Sequence, residues 1–456
     1  MSEVSRKFAR YALTRSVFPD SAYDAARTFI LDSLGVGIAG SHAPFSDAVY
    51  TTSKSWGQSW GTGDAAHLWG RGETAPAATA AYLNGFQIHS MEYDCVHEAA
   101  VVHPMATILA AVSAEVEKRG VTSGPELMEA VIIAVDVAVE LGAAATSPLK
   151  FFRPATAGLF GATLGIARLR GFDEATAMSA MGCALAQCAG VMQAHVEGKP
   201  TLPVQIAGAA RAAVVACDLA GNGLYGPVSS LEGPYGYFNM FEDEADADTA
   251  SVRLGKDHRI RQVSWKPFPT GRAAQGGIVL VQKLMDMGVS AENLDTLILS
   301  APPIIPRLVN RPAEAGMTPN YARLCFPYLA AVTLMRGTVS LADFGETDLN
   351  DPDILDVASR IRVQTGHVKN PAQFVPQSAT AKLINGGRNT AMIDKILGSP
   401  ADPLSREQHI EKFRTCLAFG LSEVNAQGTA NRLIDIVDDL ERFDDCREIF
   451  PLASGI

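Results

Sequence analysis

The chain has 456 residues, 47% of them apolar, and a formal net charge of -11. That length admits two domains, and that much apolar surface builds a large core, which excludes a disordered chain. The acidic balance excludes nucleic acid and an anionic membrane surface as general partners.

In chain order, Met1 to Arg10 shows no apolar signal core. From about residue 20 to 220 the pattern is helical throughout. Ser21 to Leu34 has apolar positions at helical spacing and is expected to end at Gly35 and Gly37. Pro76, Pro104 and the Pro125-Glu126 pair each open a further helix, because proline is tolerated at the first helical position. Leu127 to Ala145 is the most apolar run, but Glu129, Asp136 and Glu140 interrupt it, so it reads as a core helix that does not span a membrane. Buried helices rich in Ala and Gly are expected over Phe160 to Arg168, Ala175 to Val191 and Ile206 to Ala220.

The texture changes after about residue 260. Strands are expected at Leu294 to Ala301, Ile361 to Thr365 and Ala379 to Ile393, the last folded into a hairpin at Asn385-Gly-Gly. Helices Gly271 to Met287 and Tyr321 to Met335 interleave with them, and from Ser405 onward the pattern is helical again. The fold class is therefore mainly α, with a smaller α+β section at 263–400 between a helical part at 1–262 and its completion at 401–456. The seven cysteines are scattered and odd in number. They read as reduced thiols in a reducing compartment, and with the lack of a signal core they place the protein in the cytoplasm.

Residues 89 to 104 concentrate the candidate chemistry. His89, His97, His103, Glu92, Asp94 and Glu98 crowd between nearly charge-free flanks. Titratable groups between apolar helices are costly to desolvate, so such a cluster is either fully hydrogen-bonded or functional. His103 precedes Pro104 at a helix start, where the helix dipole disfavours the imidazolium and leaves a neutral group fit to accept a proton. Were the segment helical, His89, Glu92 and Val96 would face one way. His89, Glu92, His97 and His103 are possible metal ligands, but their spacing fits neither His-Glu-x-x-His nor a thiolate site, and no metal is expected. Cys95 lies beside acids that raise its pKa, which disfavours it as a nucleophile.

Four cations sit at proline or glycine corners: Lys199 in Gly198-Lys-Pro, Lys266 in Trp265-Lys-Pro-Phe-Pro, Arg153 before Pro154, and Arg272 after Gly271. Single cations on loops are usually solvated, but four beside apolar helices suggest a carboxylate-binding set. Tyr328 follows Pro327 at a helix start, where core packing and a site role are both open.

These pieces resemble the MmgE/PrpD family over almost the whole chain. The landmarks are Asp32-Ser-Leu-Gly-Val, Asn84-Gly with His89-Ser-Met-Glu-Tyr-Asp, His103-Pro, Lys199-Pro, Leu231-Glu-Gly-Pro-Tyr-Gly-Tyr-Phe, Trp265-Lys-Pro-Phe-Pro and Phe326-Pro-Tyr. The resemblance implies a large helical domain built from both chain ends, a smaller α+β lid, a homodimer, and cofactor-free chemistry on a small di- or tricarboxylate between the two. By position it assigns the active-site acid to Glu92, the histidine before proline to His103, the cleft lysines to Lys199 and Lys266, and the lid tyrosine to Tyr328. The chain departs from the family pattern at Glu92-Tyr-Asp-Cys-Val, and Arg153 and Gly271 stand where decarboxylases carry histidines.

The reading that follows is a lyase of the 2-methylcitrate dehydratase type. His103 is the base, Glu92 orients it, and Lys266 or Tyr328 is the acid. Lys199, Arg153 and Arg272, with Asp94 and His89, bind the substrate. Epimerisation or isomerisation of a related acid uses the same first step, and decarboxylation of a related polycarboxylate is a further alternative. A non-catalytic carboxylate binder and a metal-dependent hydrolase are the alternatives of other classes.

Overall fold

The computed structural model describes residues 3–57, 64–146, 149–366, 368 and 373–455. The chain is mainly α, with one four-stranded and one two-stranded sheet among these residues. Its apolar core comes in two large pieces. One is drawn from residues 4–263 and 413–453, so the C-terminal helices Arg406–Gly420 and Glu423–Asp438 pack with the N-terminal ones. The other is drawn from residues 268–396.

The helices of the first piece approach closely because small residues stand at the crossings. A Cβ on Gly161 would lie 2.4 Å from the Ala134 carbonyl oxygen, and one on Gly40 only 2.0 Å from that of Gln87. Gly35 and Gly37 do not end their helix, which runs from Asp20 to Gly40. They instead receive the rings of Phe413 and Trp69, each within 2.6 Å of where a Cβ would stand. Here glycine serves interhelical contact, and the packing recovered outweighs its poor helix propensity.

Other helix starts follow local chemistry. Pro76 immediately precedes Ala77–His89, and Pro104 is the first residue of Pro104–Arg119. Ser123 and Glu126 form a capping box on Gly124–Ala144. The expected helix beyond Leu185 is absent, because the chain turns there to pair Val191 with Phe151. Leu202–Gly221 is the one described helix long and apolar enough to cross a membrane, and 61% of that stretch is buried inside the protein. The helical half also holds a hairpin that periodicity misses. Strands β1 (Ala65–Leu68) and β2 (Glu73–Pro76) are four residues each, too short to show alternation.

In the second piece, β3 (Leu294–Ala301), β4 (Ile361–Thr365), β5 (Gln377–Leu383) and β6 (Arg388–Ile393) lie in the order β4-β3-β5-β6. β3 and β4 are parallel, while β3–β5 and β5–β6 are antiparallel. Leu297, Leu299 and Ala301 alternate inward and Ile298 outward, the period of a sheet covered on one face. Helices Arg272–Asp286 and Phe326–Arg336 cover that face. The expected helix from Tyr321 begins instead at Phe326, since Pro327 fits only a first turn.

The two pieces meet where Trp265 pairs its N–H with the Gly398 carbonyl and sets its ring against Phe29 and His409. Gly40→Ala forces a methyl group onto a backbone oxygen. It is expected to cost about 1–3 kcal/mol, read as a lower midpoint of urea unfolding.

Candidate active site

The helix Ala77–His89 ends at His89, and Pro104 starts the next one, so residues 90–103 form an irregular connection. The helical alignment of His89, Glu92 and Val96 therefore does not apply. The connection is held by hydrogen bonds from outside it and within it. Val96 exchanges N–H···O bonds of 3.0 and 2.8 Å with Ser264, and His97 pairs with Val102. Glu92 has φ +51° and Val101 φ +52°, left-handed conformations that non-glycine residues keep only under external constraint.

Two buried lysines hold the stretch around Glu92. Lys266 Nζ donates at 3.1 Å to the Glu92 carbonyl and again at 3.1 Å to its Oε2. Lys412 Nζ donates at 3.0 Å to the Tyr93 carbonyl, pairs with Asp32 at 2.7 Å, and lies 4.1 Å from the centre of the Tyr93 ring. Lys412 and Asp32 come from helices at opposite ends of the chain, a link that sequence spacing does not reveal.

At the centre stands Asp94, fully buried. Its Oδ2 is 2.9 Å from His89 Nδ1 and 3.1 Å from His103 Nδ1, and its Oδ1 is 3.7 Å from Lys266 Nζ. Burial pushes the Asp94 carboxyl up, but His89, His103 and Lys266 outweigh it and hold it well below the usual carboxylate range. Burial likewise opposes ionisation of Glu92, and Lys266 with the two histidines overcomes it, bringing the pKa to about 2.

An ionised Asp94 only accepts, so both Nδ1 atoms carry protons. For His89, burial favours the neutral ring, but Asp94 and Glu92 reverse this and raise its pKa. For His103 burial prevails over Asp94, and its pKa falls below the ordinary histidine value. The result is a His89 ring whose charged form is favoured, one lysine cation and two carboxylates behind a His103 ring whose neutral form is favoured. Its ring edge, bearing the bare Nε2, is the part left free to meet a ligand. His103 is also the N-cap of Pro104–Arg119, whose dipole reinforces the neutral form.

His103 and Glu92 open onto a cleft that also receives Glu98, Arg153, Arg272 and His195. Arg153 turns its Nε and Nη2 to the two carboxylate oxygens of Glu242, both at 2.8 Å. Arg272 bonds Glu98 through Nε at 2.7 Å and the Trp265 and Leu397 carbonyls through Nη1 at 2.9 Å. Lys266 is wholly buried behind Glu92.

Two expected site residues are not brought here. Lys199 is exposed and does not line the cleft, because Gly198 in left-handed conformation turns the chain outward before it. Tyr328 is wholly buried in the core beside the sheet, its hydroxyl bonded to the Asp343 carbonyl and its ring against Phe344. The core-packing reading of Tyr328 therefore prevails, since a helix-start tyrosine facing a sheet buries its ring inward. His195 and Glu98, by contrast, are wall residues that sequence reasoning left without a role. Burial and Arg311 bring His195 down to about 4, which keeps it neutral.

Among the described residues, His89, Asp94 and His103 are the acid–imidazole set with ligand atoms within 4.8 Å of one another. The Lys266 ammonium already sits 3.7 Å from this carboxylate and would repel a divalent ion there. His97 stands apart. Its Nδ1 accepts the Ala100 N–H and its Nε2 faces Gln262, a structural role.

Family models for the MmgE/PrpD N-terminal domain and the MmgE/PrpD C-terminal domain match residues 6–250 and 268–440. The chain belongs to the MmgE/PrpD family. Curated relatives span it end to end. The cis-aconitate decarboxylase of Mus musculus is 25% identical, over 100% of this chain and 94% of its own length. That of Homo sapiens is 25% identical over 96% and 91%. The cis-aconitate decarboxylase-like protein oryM of Aspergillus oryzae is 23% identical over 97% and 95%.

Tyr328→Phe removes one hydrogen bond inside the core, so it is expected to cost about 1 kcal/mol of stability and leave kcat and KM within about twofold. A large loss of kcat with unchanged stability would restore Tyr328 to the chemistry.

Proposed function

We propose that this MmgE/PrpD protein is a cofactor-independent lyase that acts on a small carboxylate by removing a proton next to the carboxylate group. The observation that carries this reading is the pairing of His103 Nδ1 with Asp94, which leaves a neutral imidazole with its free nitrogen at the cleft. A base of this kind is oriented, desolvated and unable to tautomerise away from its task. The partial positive charge at the N-terminus of Pro104–Arg119 and the Arg272 guanidinium then face the negative charge that develops on the substrate.

Elimination of water is the first form of the reaction. His103 Nε2 takes the α-proton, the carbon–oxygen bond breaks, and the leaving hydroxide is protonated. With Tyr328 removed from the site, the proton comes from the cationic pair of Lys266 and His89, which reaches the cleft through the Glu92 carboxylate between them. Decarboxylation is the second form, favoured by the three decarboxylase relatives. In it the carbon–carbon bond to the leaving carbon dioxide breaks, and the carbon that keeps the electron pair takes a proton from the same Lys266 and His89 pair through Glu92.

Proton NMR in deuterium oxide tests the proton abstraction. Exchange of an α-proton, or release of water, is expected with the wild-type protein and is expected to fall by about a hundredfold or more in His103→Ala. Exchange that survives the substitution would overturn His103 as the base.

The pH profile follows from the opposed shifts. His103 must be neutral to act, and its pKa lies below the ordinary 6.5, so kcat/KM should level off before that value as pH rises. His89 must stay protonated to balance Glu92, and its pKa lies above 6.5, so activity should fall again at higher pH. The same shift makes His89 stabilising below its unfolded pKa and lets that contribution disappear as pH rises through the folded value. A profile with its acid limb above 6.5 would contradict this assignment.

A further inference from the structure

His195 and Lys199 leave the same short turn in opposite directions. Gly198, in left-handed conformation, ends the helix Gln193–Glu197 and carries Lys199 outward, while the half-buried His195 lines the cleft. The second core piece fixes that turn. Arg311 donates through Nη2 to the His195 carbonyl, and Thr318 Oγ1 donates at 3.0 Å to the Gly198 carbonyl. Tyr321 and Arg311 lie 2.7 and 2.9 Å from where a Cβ on Gly198 would stand, which leaves room for glycine alone.

The ring held in this way is unspent. Glu92 is paired with Lys266, Glu98 with Arg272, Arg153 with Glu242, and His103 Nδ1 with Asp94. Among the described residues, His195 is the polar side chain of the cleft wall whose ring has no hydrogen-bond partner. Its surroundings select the kind of partner it can take. Burial and then Arg311 keep the ring neutral, and Arg307 adds to them. A neutral imidazole offers one N–H. Among the described residues, neither arginine has an acid partner: Arg307 reaches the Leu149 carbonyl at 3.5 Å, and Arg311 lies 5.1 Å from the centre of the Tyr321 ring with its Nη1 unpartnered. An anionic oxygen at His195 gains the N–H bond together with the attraction of both guanidinium groups.

We infer that His195 is a substrate-binding residue, donating its free ring N–H to a carboxylate oxygen of the acid in the cleft. The inference rests on the proposed proton abstraction by His103 and adds the orientation which that step needs. An acid with a carboxylate on His195 and an α-proton at His103 Nε2 is fixed at two points, and this decides which of its hydrogens is removed. A neutral ring suits the task, because it donates without placing a third cation beside the two arginines.

Calorimetric binding of citrate, malate and cis-aconitate to the intact chain, run beside proton exchange in deuterium oxide, tests the assignment. His195→Ala is expected to leave the unfolding midpoint in place and to weaken the acid that the wild-type protein binds best by roughly tenfold or more. His195→Gln keeps a side-chain N–H and is expected to recover most of that loss. Unchanged affinity in His195→Ala overturns the inference and leaves His103 as the base, as does a loss that glutamine fails to relieve. Failure of all three acids to bind the wild-type protein overturns the carboxylate contact as well. Weakened binding in His195→Ala, together with exchange that survives His103→Ala, would keep this contact and sink the base.

Discussion

One buried carboxylate oxygen organises this protein's site. Asp94 Oδ2 receives His89 Nδ1 and His103 Nδ1 together, and both histidines take their tautomer from it. Yet the two rings differ in charge. His89 has Glu92 as well as Asp94 beside it and its pKa is raised, whereas at His103 burial prevails, with Lys266 and the helix N-terminus adding to it, and its pKa is lowered. The same acid thus produces one cation and one base, because their second neighbours differ.

Keeping Asp94 ionised in a water-free place needs the positive charge of Lys266, and that lysine performs a second task. By bonding the Glu92 carbonyl as well as its carboxylate, it holds a left-handed backbone that would otherwise relax. Lys412, from the C-terminal helices, bonds the neighbouring Tyr93 carbonyl. Removing one partner of such a buried pair typically costs about 3–5 kcal/mol, because a charge is stranded. The site and its scaffold are for this reason not separable: the ion pairs that tune the histidines also shape the loop that carries them.

The cleft beside this cluster has a different character. Its arginines are turned to carboxylates of the protein, Arg153 to Glu242 and Arg272 to Glu98, and hydrocarbon covers most of the remaining wall. Low polarity around a neutral base strengthens every electrostatic contact a bound carboxylate makes, and it makes each unpaired charge expensive. Selection among carboxylic acids in such a cleft is governed as much by what cannot be neutralised as by what is attracted.

The local features were legible in the sequence. Prolines marked the helix starts at Ala77, Pro104 and Gly124, alternation marked β3, and Asn385-Gly-Gly marked the β5–β6 turn. The crowding of His89, Glu92, Asp94 and His103 between apolar flanks pointed to the buried ionic cluster that adjoins the candidate cleft, since groups so costly to bury must find partners. Sequence alone also determined that His103 stands at a helix N-terminus, because the residue before a proline at a helix start is placed by local geometry.

Partners were decided only by the tertiary structure. Whether Arg153 faces a substrate or Glu242 depends on a contact 89 residues away, and Lys412 reaches Tyr93 across 319. The outward turn of Lys199 and the inward burial of Tyr328 depend on which neighbours pack against them, and neither is encoded in spacing. Short-range sterics and backbone hydrogen bonding are written in adjacent residues. The pairing of charges is set by long-range packing, and a one-dimensional pattern carries no record of it.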